Sequence, residues 1–193
     1  MRFLVLFAHP VETSFSAALH RAVVEVLRSS GHDVDDCDLY AENFNPVMSR
    51  QERLDYHDLS LCTKPVQGYV DRLLAAEGLV IVNPVWNYGY PAILKGFLDR
   101  VFLPGVSFRL EGGSTRPNLW RIRRLAAVTT YGGTRFRAFL MGDAPRRQFK
   151  RTMRALVHPL ARARYLALYD MNNATTARTT AFLERVRRTI ATF

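Results

Sequence analysis

Apolar runs and helical stripes alternate along the chain. Residues 3–8, 79–82 and 125–131 are apolar, β-rich runs, the pattern of strands buried on both faces of a parallel sheet. Residues 165–169 form a last strand of the same kind. Val34, Cys37 and Leu39, set among aspartates, predict a weaker strand suited to a sheet edge, where acidic residues discourage pairing with other chains. Between these runs the period changes to that of a helix. Phe15, Ala18, Leu19, Ala22, Val23, Val26 and Leu27 make one stripe, stopped by Gly31; Val66, Tyr69, Val70, Leu73 and Leu74 make a second. Ile93, Leu94, Phe97, Leu98 and Val101 make a third, with Pro91 suited to its first turn and Pro84 ending the strand before it. Asp143 caps a fourth helix carrying Phe149, Met153, Leu156 and Val157, and Phe182, Val186 and Ile190 mark a terminal one from about residue 176. Ser49-x-x-Glu52 is a capping-box pattern and predicts a short helix near 51–56. Residues 103–124, rich in Gly, Pro and polar side chains, read as a long excursion.

Alternating strands and helices give a parallel α/β sheet. With no internal repeat, low-complexity tract or linker, residues 1–193 read as a single domain. Five strands without a long second half favour the order 2-1-3-4-5. In that order the crevice lies beyond the carboxyl ends of strands one and three, with strand four alongside. Loops 9–16, 84–90 and 129–134 therefore converge, although they are far apart in the sequence.

Each loop carries chemistry. Thr13, Ser14 and Ser16 stand at a helix start, where unpaired N–H groups and the positive dipole end accept a phosphate; the same residues also serve as plain N-caps. This is neither a G-x-G-x-x-G fingerprint nor a P-loop. Trp86, Tyr88 and Tyr90 cluster at the end of a buried strand, where they form a platform for a flat ligand. Gly132-Gly133 after strand four lets backbone amides approach a ligand closely, or simply makes a turn.

P-V-W-N-Y-G-Y-P-A-I-L-K-G-F-L-D-R-V-F within residues 80–102 is similar to the flavin loop and following helix of the flavodoxin-like NAD(P)H:quinone oxidoreductases, the DT-diaphorase family; its Asn is shared with the flavin-dependent azoreductases. A-H-P-x-x-x-S-F-S-x-A-L, from residue 8, resembles that family's flavin-phosphate loop. Y-A-E-N-F-N-P-V-M-S-x-x-E-R, from residue 40, resembles its insertion after the second strand. V-T-T-Y-G-G-T, from residue 128, resembles its T-T-G-G motif with Tyr131 interposed.

The resemblance implies a flavodoxin-like five-stranded fold that holds FAD, with FMN the alternative, and takes hydride from NADH or NADPH. His9, Thr13, Ser14, Phe15 and Ser16 would serve the phosphates; Pro84, Val85, Trp86, Asn87 and Tyr88 the ring; Thr130, Tyr131, Gly132 and Gly133 the pyrimidine edge. The family's Tyr and His that stabilise charge on the reduced flavin have no clear counterparts in 135–143. The expectation is that Gly132 and Gly133, helped by Arg135 or Tyr131, take their place as the catalytic groups. A quinone-like acceptor and a homodimer are implied in the same way. The alternative is a flavoprotein electron carrier, or the ancillary subunit of a potassium-efflux system.

Composition narrows this further. Residues 1–115 carry 10 Lys+Arg against 14 Asp+Glu, while residues 116–193 carry 17 against 3. The basic half reads as solvated helix faces or as attraction for phosphate-bearing cofactors. No nucleic-acid motif accompanies it. Cys37 and Cys62 lack metal-ligand spacing and read as reduced thiols rather than a disulfide. The apolar start is too short for a signal peptide and nothing reaches the length of a membrane span, so a cytoplasmic protein is expected. No catalytic triad or carboxylate pair competes with the flavin reading.

Overall fold

The computed structural model describes residues 1–193. The chain begins with β1 (Arg2–Phe7), α1 (Phe15–Ser29) and β2 (Asp33–Asp38). Then come α2 (Arg50–Leu54), α3 (Gln67–Ala75), β3 (Gly78–Val85) and α4 (Ala92–Val101). A hairpin of β4 (Phe108–Glu111) and β5 (Ser114–Pro117) precedes β6 (Arg124–Tyr131). α5 (Arg135–Leu140), α6 (Ala144–Arg147), a π-helical stretch (Gln148–Met153) and α7 (Arg154–Leu156) lead to β7 (Arg162–Leu168) and α8 (Thr176–Ala191).

Five strands pair in parallel in the order β2-β1-β3-β6-β7, which is the 2-1-3-4-5 order with the hairpin set aside. The aspartate-rich β2 lies on an edge, as its composition requires. Side chains of β1 alternate between the faces. Phe3, Val5 and Phe7 join Val80, Val82 and the apolar stripes of α1 and α8. Leu4 and Leu6 join Leu79, Ile81, Leu73 and Phe97 beneath α3 and α4. Every residue of β3 is buried. Cys37 and Cys62 are buried free thiols, and no helix is long and apolar enough to cross a membrane.

Three expectations need correction. Pro84 does not end its strand but lies within β3, in register with Thr130. Pairing with β1 stops at Val82, so β3 has one neighbour at Pro84 and tolerates a missing N–H there. The excursion 103–124 contains the two-stranded hairpin. Asp143 precedes a helix as expected but makes no capping bond. Its backbone is left-handed (φ 40°) and its carboxylate points elsewhere.

The segment before α2 packs directly on α4. Asn45 carbonyl accepts from Arg100, whose guanidinium also pairs with Glu52 at 2.6 Å. Glu52 closes the capping box with Ser49 as well. Burial pushes the Glu52 carboxyl up, but bonds from Ser49 and Arg100 outweigh that and hold it below its ordinary value. Gly96 has no room for a side chain, because a Cβ would stand 2.3 Å from the Pro46 carbonyl oxygen.

Candidate functional site

β1, β3 and β6 end together, and the register places loops 9–16, 84–90 and 129–134 at one end of the sheet. Phe7 is level with Val82, and Val82 with Val128. The convergence read from the sequence is therefore present.

In the first loop Ser14 is the N-cap of α1, its Oγ accepting from Ala17 N at 3.1 Å. That bond leaves the N–H groups of Phe15 and Ser16 without a partner. The amides at the start of a 15-residue helix are a ready anion site. Thr13 is exposed. Ser16 is buried, and its Oγ lies 3.5 Å from Thr130 Oγ1, which joins the first loop to the third. Nδ1 of His9 lies 3.0 Å from the Val11 N and 3.2 Å from the Val11 carbonyl oxygen, which leaves Nε2 with no partner in the chain.

The second loop is a tight reversal. Trp86 and Gly89 exchange backbone bonds of 3.1 and 2.9 Å across Asn87 and Tyr88, both left-handed at φ 47° and 57°. Asn tolerates that conformation, whereas for Tyr it costs about 1–2 kcal/mol, the kind of strain that gathers at functional sites. The N–H groups of Asn87 and Tyr88 have no partner in the chain. Trp86 is 42% exposed, with its ring edge-on to His9 at 5.8 Å. The Tyr88 hydroxyl lies 3.3 Å from where a Cβ on Gly133 would be, so the glycine makes room for it. Pro84 and Val85 were expected to face the ligand. Both are buried, and Val85 packs with Tyr131 and Ala138, so their side chains belong to the core.

In the third loop the Gly132 and Gly133 N–H groups are also unpaired, while their carbonyls accept from Asn172 and Asp170. Tyr131 requires correction as a catalytic donor. It is 2% exposed; its hydroxyl donates to Asp143 Oδ1 at 2.6 Å and lies 2.5 Å from the Tyr165 hydroxyl. It faces inward and has nothing left to offer a ligand. Arg135, the other expected donor, is exposed and lines a cleft with Arg147 next to α5.

Tyr131 belongs to a cluster the sequence reading missed. Asp143 Oδ2 accepts from Tyr169 at 3.3 Å, the Tyr131 and Tyr169 rings stack at 4.4 Å, and Arg146 donates to the Tyr169 hydroxyl at 3.2 Å. Burial raises the Tyr131, Tyr165 and Tyr169 hydroxyls above their ordinary value, and the Asp143 charge adds to it in all three. All three tyrosines therefore remain neutral over the physiological range. One signal was available: Tyr165 and Tyr169 are four apart at the end of a strand, hence on one face, and register pairs Tyr165 with Ala127, on the same face as Tyr131.

The sequence matches the family described as "Flavodoxin-like fold" (Flavodoxin_2) over residues 1–188. It is 36% identical over 116 residues to an uncharacterized NAD(P)H oxidoreductase of Haemophilus influenzae, covering 60% of this chain and 57% of that protein. It is 33% identical over 147 residues to NAD(P)H dehydrogenase [quinone] 1 of Rattus norvegicus, covering 68% of this chain and 54% of that one. The chain thus spans little more than half the length of these curated relatives. The crystal structure of Smu.1420 from Streptococcus mutans UA159 superposes with a TM-score of 0.86 at 25% identity, over 100% of both chains.

Proposed function

The chain belongs to the family with the flavodoxin-like fold, and from that premise we propose that it is a flavin-dependent NAD(P)H dehydrogenase passing two electrons to a quinone or similar acceptor. The observation that carries this reading is the set of unpaired backbone donors of Phe15, Ser16, Asn87, Tyr88, Gly132 and Gly133, gathered from three loops at one end of the sheet. Unsatisfied amides converge where a ligand with several acceptor groups binds. The names of the bacterial and rat relatives support the activity.

Residues 1–193 act as one flavin-binding domain. Phe15 and Ser16 amides, the Thr13 hydroxyl and His9 Nε2 would hold the phosphate, Trp86 and Tyr88 would contact the ring, and the Gly132 and Gly133 amides would serve its pyrimidine edge. When bound, the flavin supplies the hydride chemistry. The Gly133 N–H shares a peptide plane with the Gly132 carbonyl, which accepts from Asn172 at 3.5 Å, and the Gly133 carbonyl accepts from Asp170 at 2.8 Å, so the turn that carries these amides is tied to the segment after β7. FAD is the form that the resemblance of residues 80–102 favours, and a homodimer is the expected assembly.

The test is direct. Purified protein should bind FAD or FMN stoichiometrically by fluorescence quenching. NADH or NADPH should bleach the bound flavin and a soluble quinone restore its colour. Initial-rate lines at several quinone concentrations should be parallel, the pattern of donor and acceptor taking turns. Failure to bind either flavin sinks the reading; intersecting lines reject the shared site.

A further inference from the structure

A second set of polar groups lies beyond the third loop; Asp143 and Arg146 in it also belong to the tyrosine cluster, and the others take no part in the site above. Arg135, Phe139, Gly142, Asp143, Arg146 and Arg147 enclose a cleft of about 340 Å³ between α5 and α6. Three guanidinium groups share it with one carboxylate, and that carboxylate is occupied: both Asp143 oxygens accept from tyrosines. None of the three arginines is in an ion pair. Arg146 bonds the Tyr169 hydroxyl, Arg147 reaches only the Gly142 carbonyl at 3.4 Å, and Arg135 makes no hydrogen bond. Arg135 and Arg147, which lack a charged partner, repel one another, and an anion relieves that. The planar fork of arginine matches a phosphate or a carboxylate.

Phe139 adds a second observation. It lines the same cleft yet is 74% exposed, on a helix whose core side needs only Ala138. An exposed ring beside guanidinium groups offers a stacking face for a base. The placement also fits. α5 begins two residues after Gly133 with Arg135, itself a lining residue, so the cleft adjoins the loop that carries the glycine amides.

We propose that this cleft binds the adenosine 2′-phosphate end of NADPH, with Arg135 and Arg147 on the phosphate and Phe139 under the adenine, and so makes NADPH the preferred donor over NADH. The proposal rests on the reading of the chain as an NAD(P)H-dependent flavoprotein, but its first test is independent of turnover. Calorimetric titration of the flavin-loaded protein with adenosine 2′,5′-bisphosphate should give a Kd at least tenfold tighter than adenosine 5′-monophosphate. Inorganic phosphate should bind more weakly still. Arg147→Ala should abolish the difference between the two nucleotides, Arg147→Lys should retain part of it, and Phe139→Ala should weaken both.

In steady state kcat/KM should favour NADPH at least tenfold. Arg147→Ala should lower the NADPH value about tenfold more than the NADH value, chiefly through KM. Equal binding of the two nucleotides, equal losses for both donors, or inorganic phosphate binding as tightly as the bisphosphate would each overturn the proposal. The outcomes separate the two readings. A protein that binds no flavin fails the proposed function, whereas one whose flavin is reduced equally well by NADH and NADPH fails only the cleft.

Discussion

At the first loop one hydroxyl sets the geometry: Ser14 Oγ caps an amide three residues away, and the helix it starts does the rest. At the third loop the same task falls to five side chains spread from residue 131 to 169, with Asp143 between two tyrosines, Tyr165 on Tyr131 and Arg146 on Tyr169. Both ends leave backbone amides free at the crevice. The first does so with neutral, local groups and the third with a half-buried carboxylate joined to a buried tyrosine. The third edge is the better fixed and also the more vulnerable, since an unpaired buried polar group costs more than a lost surface bond.

Alkali breaks the comparison most severely. The folded state raises the Tyr131, Tyr165 and Tyr169 hydroxyls above 10.0, whereas in the unfolded chain they ionise near that value. Their contribution is therefore complete below pH 10.0 and is lost as pH rises above it. Urea midpoints should fall steeply there, and Tyr131→Phe should flatten the fall. A flat profile in the wild type would remove the cluster's special status.

Next in size is Asp143→Ala, which takes the shared acceptor from the Tyr131 and Tyr169 hydroxyls, leaving them only Tyr165 and Arg146, and should cost about 2 kcal/mol in urea unfolding. Asp143→Asn keeps an acceptor and a residue at ease in the left-handed conformation, so its cost should be smaller. Ser14→Ala loses one N-cap, about 1 kcal/mol. If it costs as much as Asp143→Ala, the contrast between the two ends is wrong. Trp86→Ala should change stability by no more than about 0.5 kcal/mol, the range of a surface position. It should nevertheless weaken flavin binding measured by fluorescence, and gross unfolding would instead put Trp86 in the core.

The same contrast explains what the sequence disclosed. The strand order, the meeting of three loops, the Ser49–Glu52 capping box and the Ser14 cap are set by period and by neighbours within four residues, and all were legible. Pro84 was misread because whether a strand position is one-sided depends on where a different strand stops. Asp143 was recognised as a helix start, but its carboxylate was assigned to the nearest amide. Its actual partners lie 12 and 26 residues away, at the ends of β6 and β7. Tyr131 was read as an interruption between Thr130 and Gly132 and as a donor to the ligand. That interruption is what points a hydroxyl into the core there, a placement that needs β7 alongside to be seen.

The contact between Gly96 and Pro46 bears on the order in which the chain assembles. A Cβ at position 96 would stand 2.3 Å from the Pro46 carbonyl oxygen, so the Asn45–Pro46 segment lies directly on the α4 backbone, about fifty residues later in the chain. Closing a loop of that length costs entropy that only the docked contacts offset. Docking of residues 43–54 is therefore expected late in folding, and the segment should be the first to open under native conditions. Hydrogen exchange should find the amides of α2 releasing deuterium well before those of β3, the central strand, and β1 beside it.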